Sequence, residues 1–208
     1  LIRLLSFIIR EASELPAAGF YIPRLPAYIY ALYYVGIGMF IGFYKSAFFR
    51  IYIRRFALSY LLAAVIAISI YNLPSNDLRM IFFDVGQGDS CCIITPQKKT
   101  VLIDGGGSSR AGDYYYDVGG KITLPALLHQ GIWRIDTVIV SHFHDDHMEG
   151  LLRVIEVYRV KNLIIPKVSA GEGKISVNSG TLLDMCGKKG IKIHRLGEKD
   201  YMNLGQGI

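Results

Sequence analysis

Residues 141–150 read SHFHDDHMEG and set three of the chain's five histidines beside two aspartates within six consecutive positions. Imidazole nitrogen together with carboxylate oxygen suits zinc or a similar transition ion held with one coordination position open. On an extended segment, side chains two apart share a face, so His142 and His144 can converge on one ion. A turn into a following helix would redirect Asp146 and His147 toward a neighbouring position. Four donors from one loop exceed what a closed structural site takes from a single segment. A merely polar surface loop would not concentrate so scarce a residue.

The flanking pattern supplies elements to position these donors. DTVIVS, ending at Val140, predicts a strand, and EGLLRVIEVYRV predicts a helix from about Glu149 with Leu151, Ile155 and Tyr158 on one face. Loops at the carboxyl ends of strands in α/β sheets are where ligands bind, and the next helix N-terminus adds a positive field. RMIFFDV, SCCIIT and TVLID, separated by glycine-rich breaks, predict a β-meander. TLPALLHQG predicts a helix with a first-turn proline and Gly131 as its stop. NLIIP reads as another strand and SGTLLDMCGKKG as another helix, so this half is α/β. No repeat of period 20 to 50 and no low-complexity tract interrupts it.

Glycine-rich DVGQGDS and DGGGSS place Asp84, Asp89 and Asp104 at strand ends. There they could line the site or hydrogen-bond and position the metal loop, with tight-turn chemistry as the plain alternative. DVGGKI is not a phosphate loop, since GxxxxGK[ST] demands a glycine at Tyr115 and a hydroxyl at Ile122. Cys91 and Cys92 lie in a strand and point to opposite faces as packing residues, Cys186 is expected to be buried, and no CxxC pair exists to hold zinc elsewhere. Tyr114, Tyr115 and Tyr116 could stack bases or anchor their loop by packing. His129 is expected on the surface or behind the metal ligands.

With 51% hydrophobic and 19% charged residues, the chain is too apolar for an ordinary soluble domain and too charged to be all membrane. The excess is local. Residues 26–44 and 56–76 carry no ionisable acid or base, and each run is long enough to cross a bilayer as a helix. Between them KSAFFRIYIRR carries Lys45, Arg50, Arg54 and Arg55 without an acid, which predicts a cytoplasmic loop and delivers everything after Asp77 to the outer face. Residues 1–14 predict an amphipathic helix or the tail of an earlier span. Leu1 is not a start methionine, so a longer parent is expected. Through residue 76 seven Lys/Arg face two Asp/Glu, and beyond it 16 face 15, so the pI near 9.2 reflects membrane-orienting charge and is no argument for nucleic acid.

HxHxDH after an apolar strand, with VLIDGGG upstream, resembles the metallo-β-lactamase fold superfamily. The longer stretches FFDVGQGDSCCIITPQKKTVLIDGGG and DVGGKITLPALLHQGIWRIDTVIVSHFHDDHMEG, preceded by apolar spans, resemble the ComEC family of bacterial DNA-uptake membrane proteins. That resemblance implies two transmembrane helices, about 26–44 and 56–75 within a membrane region 1–76. Residues 77–208 would then be an αββα sandwich truncated at its C-terminus, on the outer face of the plasma membrane. It implies two divalent ions, zinc or manganese, with His142 and His144 on the first and Asp146 and His147 on the second. It also implies phosphodiesterase activity on DNA, with Asp146 in the catalytic machinery. A metal pair about 3.5–4 Å apart neutralises phosphodiester charge and lowers a bound water's pKa toward about 7.

The superfamily takes further ligands from downstream, which are expected beyond this chain, since His194 reads as structural. Implied partners are extracellular DNA, the bilayer and the rest of a channel-forming chain, with homo-oligomerisation open. Two other readings stand beside this one. They are a tethered metallo-hydrolase of another ester or phosphodiester, and a non-catalytic domain that binds DNA or gates a channel.

Overall fold

A computed structural model describes residues 2–14, 21–45, 47–75, 77–107, 109–111, 114–167, 177–197 and 200–201. Its first part is helical: α1 (Ile2–Glu14), α2 (Ala27–Lys45) and α3 (Ala47–Asn72). α2 starts directly after Pro26, where a ring that cannot donate a hydrogen bond costs a helix nothing. α2 and α3 pack as a hairpin, with the Tyr60 hydroxyl so close that a Cβ on Gly36 would meet it at 2.8 Å. Ala27 and Asn72 therefore stand at the same end.

Of the basic stretch expected to be a loop, Lys45 and residues 47–55 are helical instead, and Ser46 lies outside the described residues. Nothing in AFFRIYIRR breaks a helix, so Arg50, Arg54 and Arg55 ride on the first turns of α3. Of the two expected spans, Arg55–Asn72 is long and apolar enough to cross a membrane, while Ala27–Gly42 is a shorter apolar stretch.

The second part is built on a six-stranded mixed sheet of order β1-β2-β3-β6-β7-β8, with strands β1 (Arg79–Phe82), β2 (Cys91–Ile94), β3 (Thr100–Ile103), β6 (Ile135–Ile139), β7 (Val160–Pro166) and β8 (Lys192–Leu196). The expected meander forms β1 to β3 antiparallel, and β3, β6, β7 and β8 run parallel. Parallel neighbours need crossovers, and these are α4 (Leu124–His129), α5 (Asp145–Val157) and α6 (Val177–Lys188). A short hairpin, β4 (Ser109–Ala111) with β5 (Tyr114–Tyr116), precedes a π-helical turn at Gly119–Thr123 that leads into α4. Among the described residues this is the only other sheet.

One face of the six-stranded sheet and the crossover helices share a core. Leu102, Val138, Val140 and Leu163 from the sheet meet Leu124, Leu127, Met148, Leu151, Ile155 and Leu182 from the helices, all fully or almost fully buried. Each fully buried side chain of this size contributes roughly 1.5–3 kcal/mol of transfer free energy. Leu151, Ile155 and Tyr158 are all buried, the last donating from its hydroxyl to the Ile132 carbonyl at 3.2 Å. The cysteines belong to the packing. Burial pushes the Cys92 thiol up to about 12, aided by its neighbour Cys91, and pushes Cys186 up to about 11, so neither offers a thiolate at neutral pH.

Candidate metal centre

The site arises from the register of two parallel strands. Ile103 of β3 lies opposite Ile139 of β6, so the segments that leave their carboxyl ends, DGGG and SHFHDD, emerge side by side. The Asp104 amide donates to the Ile139 carbonyl at 2.9 Å and continues the ladder one step past the strand. Asp104 then takes a left-handed backbone, φ +54°, a conformation that aspartate tolerates better than most residues. The sharp bend aims its buried carboxylate across at the histidine loop.

That carboxylate organises the loop. One oxygen accepts from the Ser141 amide at 2.8 Å, and the other accepts from the Ser141 hydroxyl at 2.5 Å and from His147 Nδ1 at 2.9 Å. Ser141 Oγ also lies 2.8 Å from His142 Nδ1. A serine hydroxyl has one proton, and a carboxylate can only accept, so Ser141 donates to Asp104 and accepts from His142 Nδ1–H. Both His142 and His147 are thereby held with Nδ1 protonated and Nε2 carrying the free lone pair. Fixing the tautomer of a ligating imidazole through its other nitrogen is how metal sites orient their first ligands.

The donors gather. One ligand atom each from His142, His144 and Asp146 all lie within 4.8 Å of one another. The His142 ring stands 4.8 Å from that of His144 and 3.8 Å from that of His147, centroid to centroid. His147 Nε2 lies 3.8 Å from Asp146 Oδ2, near the separation of about 3.4 Å between two ligands of a tetrahedral ion with bonds of about 2.1 Å. Imidazole and carboxylate donors at these spacings, with two tautomers already set, fit a divalent ion. His144 is exposed and His142 and Asp146 are half-buried, so the cluster opens to solvent on one side while His147 is sealed behind it.

The helix begins earlier than its hydrophobic pattern indicated, at Asp145, with His144 as its N-cap. Asp146 and His147 are therefore already in the first turn of α5, where the amide dipoles favour negative charge. Their backbone is clamped by the glycine-rich loops. Gly88, at φ +80°, sits so close that a Cβ would meet the Asp146 carbonyl oxygen at 1.7 Å, and a Cβ on Gly150 would meet the Gly105 carbonyl at 2.0 Å. Only glycine permits these crossings. The Gly105 amide donates to the His147 carbonyl at 2.8 Å, which ties the loop to the helix.

The other candidates are not among the donors that gather within 4.8 Å. Asp84 and Asp89 are exposed, and the Asp89 carbonyl accepts from the Gly106 amide at 2.9 Å, so its backbone braces the DGGG loop. His129 is exposed and paired with Arg24, Nη1 to Nε2 at 2.9 Å, away from the histidine loop. His194 lies in β8 with Nε2 3.4 Å from Asn162 Oδ1. The side chains of Tyr114 and Tyr115 lie outside the described residues, and Tyr116 is half-buried with the Lys121 ammonium 4.6 Å above its ring. Ser141 is the functional residue that residue type alone did not single out. Its signal is a hydroxyl directly between strand end and first histidine.

Residues 85–175, from the DVGQGDS loop through the whole donor set, match the profile described as the metallo-β-lactamase superfamily. The mixed sheet with helices fits that fold, and the match suggests a metal-dependent hydrolase and implies divalent-metal binding. The chain is also 29% identical over 143 residues to ComE operon protein 3 of Bacillus subtilis (strain 168), covering 65% of this chain and 18% of that protein. It thus spans about a fifth of the length of this relative. Together the two matches support a ComEC-like protein carrying a metallo-β-lactamase domain.

Proposed function

We propose that this chain is part of a bacterial DNA-uptake membrane protein whose domain from residue 77 onward cleaves DNA phosphodiesters with divalent metal on the outer face of the plasma membrane. The observation that carries the reading is the four-donor loop at the tip of β6, with its tautomers set by one buried carboxylate. His142 and His144 would hold one zinc or manganese ion, Asp146 and His147 the other, each completed by ligands from the longer parent. When bound, such a pair neutralises the anionic phosphodiester and brings the pKa of water toward about 7.

The chain's own residues do the rest. Asp104 and Ser141 keep two imidazoles aligned, the Gly88 contact fixes the Asp146 backbone, and the α5 N-terminus attracts phosphate to the open side. Outer-face placement is supported by the acid-free basic stretch Lys45 to Arg55, which would lie on the cytoplasmic side of an α2–α3 hairpin. The similarity to a ComE operon protein supports DNA as the substrate.

The test uses the full-length parent loaded with zinc or manganese, assayed on single- and double-stranded DNA and on a small phosphodiester, with His144→Ala as control. DNA cleavage lost in the variant is the expected result. Turnover of the small ester alone would mean another substrate, and metal binding without any hydrolysis would mean a binding or gating domain.

A further inference from the structure

At the opposite end of β6 from the histidine loop, where α2 begins and α3 ends, lies a cavity of about 810 Å³. This is within the range of small-molecule sites. Its walls are built by contacts between the two parts of the chain. The Arg24 amide donates to the Leu128 carbonyl at 2.8 Å, the Tyr71 hydroxyl donates to the Gly131 carbonyl at 3.2 Å, and the Ser75 amide donates to the Pro96 carbonyl at 2.9 Å. The Lys98 ammonium, on the β2–β3 turn, reaches the Tyr71 carbonyl and lies 5.2 Å from the Tyr71 ring centre.

The lining is cationic. Arg24, Arg79, Lys98 and Arg134 face it against Asp77 alone. Arg24 is occupied by the His129 ring, which neutralises nothing, and among the described residues neither Arg79 nor Arg134 has an ion-pair partner. Unpaired guanidinium groups converging on one cavity are the donor type that matches phosphate oxygens two at a time. The cavity also carries Trp133, half in solvent, whose indole N–H donates to the Tyr71 hydroxyl at 2.8 Å. Leu73, next in the chain to the lining residue Asn72, and Leu78, between Asp77 and Arg79, are each at least half exposed. A cationic cavity beside exposed apolar groups at the end of an apolar hairpin has the profile of a headgroup site, and tryptophan is a side chain that favours membrane interfaces.

We propose that this cavity binds the headgroup of an anionic phospholipid, with Arg79 and Arg134 on the phosphate and Trp133 at the boundary with the acyl chains. The site docks the domain against the membrane surface. The proposal rests on the reading of α2 and α3 as a bilayer hairpin, and its test separates the two.

Trp133 is the chain's single tryptophan, so its emission reports on the cavity directly. The 208-residue chain in an uncharged detergent is titrated with short-chain phosphatidylglycerol and, separately, with phosphatidylcholine of the same chain length. The expected result is a saturable blue shift with phosphatidylglycerol at a midpoint about tenfold lower than with phosphatidylcholine. It should weaken by about tenfold or more in R79Q/R134Q, and partly in R134Q alone, an exposed change that spares the fold. Equal response to the two lipids, or an unchanged midpoint in both variants, overturns the proposal. So does tighter binding of a short oligothymidylate than of phosphatidylglycerol, which would make the cavity a nucleic-acid site. Inorganic phosphate competing as well as the lipid would reduce it to a phosphate site and also overturn it. Carbonate extraction from liposomes tests the hairpin independently. A chain released by carbonate that still prefers phosphatidylglycerol keeps the site and loses the span, and one retained without that preference keeps the span and loses the site.

Discussion

The two parts of this chain treat carbon in opposite ways. In α3 the stretch Arg55–Asn72 is as apolar as a protein core, yet only 6% of it is buried within the chain, and Leu58, Leu61, Leu62 and Ile66 all face outward. In the part of the chain built on the six-stranded sheet the same residue types point inward, and Leu102, Leu151 and Leu163 have no exposed surface at all. Water would not tolerate both arrangements equally, because exposed apolar patches of this extent mark a surface made for another environment. The contrast separates apolar residues left facing outward from apolar residues that exclude water around a site.

Four substitutions would break or sharpen that contrast. Leu151→Asp buries an unpaired charge beside the metal loop and should cost about 4 kcal/mol or more, seen as loss of a cooperative urea transition. A variant that still unfolds cooperatively near the native midpoint would show that the domain lacks the tight interior described. The same kind of change on the other side, Ile66→Asp, touches nothing in the chain's interior. It should nonetheless cost about 2.5–3.5 kcal/mol in a translocon insertion assay if α3 sits in a bilayer. Unimpaired insertion would remove the basis for two environments.

A smaller effect is expected for Asp104→Asn, which keeps an acceptor for the Ser141 amide and tolerates the left-handed backbone but loses the charge behind His147. Zinc affinity by chelator competition should drop about 10- to 100-fold, or about 1.4–2.7 kcal/mol, with the melting temperature little changed. The smallest belongs to Arg153→Ala. Its pair with Glu156, at 2.5 Å and three residues on, is partly exposed on α5 and should contribute about 1 kcal/mol or less by thermal unfolding.

What could be read in advance and what could not divide along a physical line. Periodicity located β1 to β3, β6, α5, β7 and α6, because hydrophobic spacing is a local property that the fold preserves. The donor loop was legible because HFHDDH compresses its chemistry into six positions. The start of α5 was misplaced because Asp145, Asp146 and His147 are polar and carry no periodic signal, while His144 caps the helix with its backbone alone. Arg50 to Arg55 looked like a loop by charge but lacked any residue that breaks a helix. The roles of Ser141 and Gly88 depend on what crosses them in space. A glycine whose missing Cβ would collide with Asp146, 58 positions later in the chain, cannot be told from a glycine in an ordinary turn.

β6 has one further consequence. It is five residues long, and a strand rises about 3.3 Å per residue, so the histidine loop stands about 17 Å beyond the end at which the helical hairpin attaches. Charge on a lipid surface is screened over about 8 Å at physiological salt. If the hairpin is seated in a membrane, this short strand acts as a standoff. A polyanion could reach the imidazoles without pressing against equally negative lipid, and the distance that protects that approach is set by the length of a single β-strand.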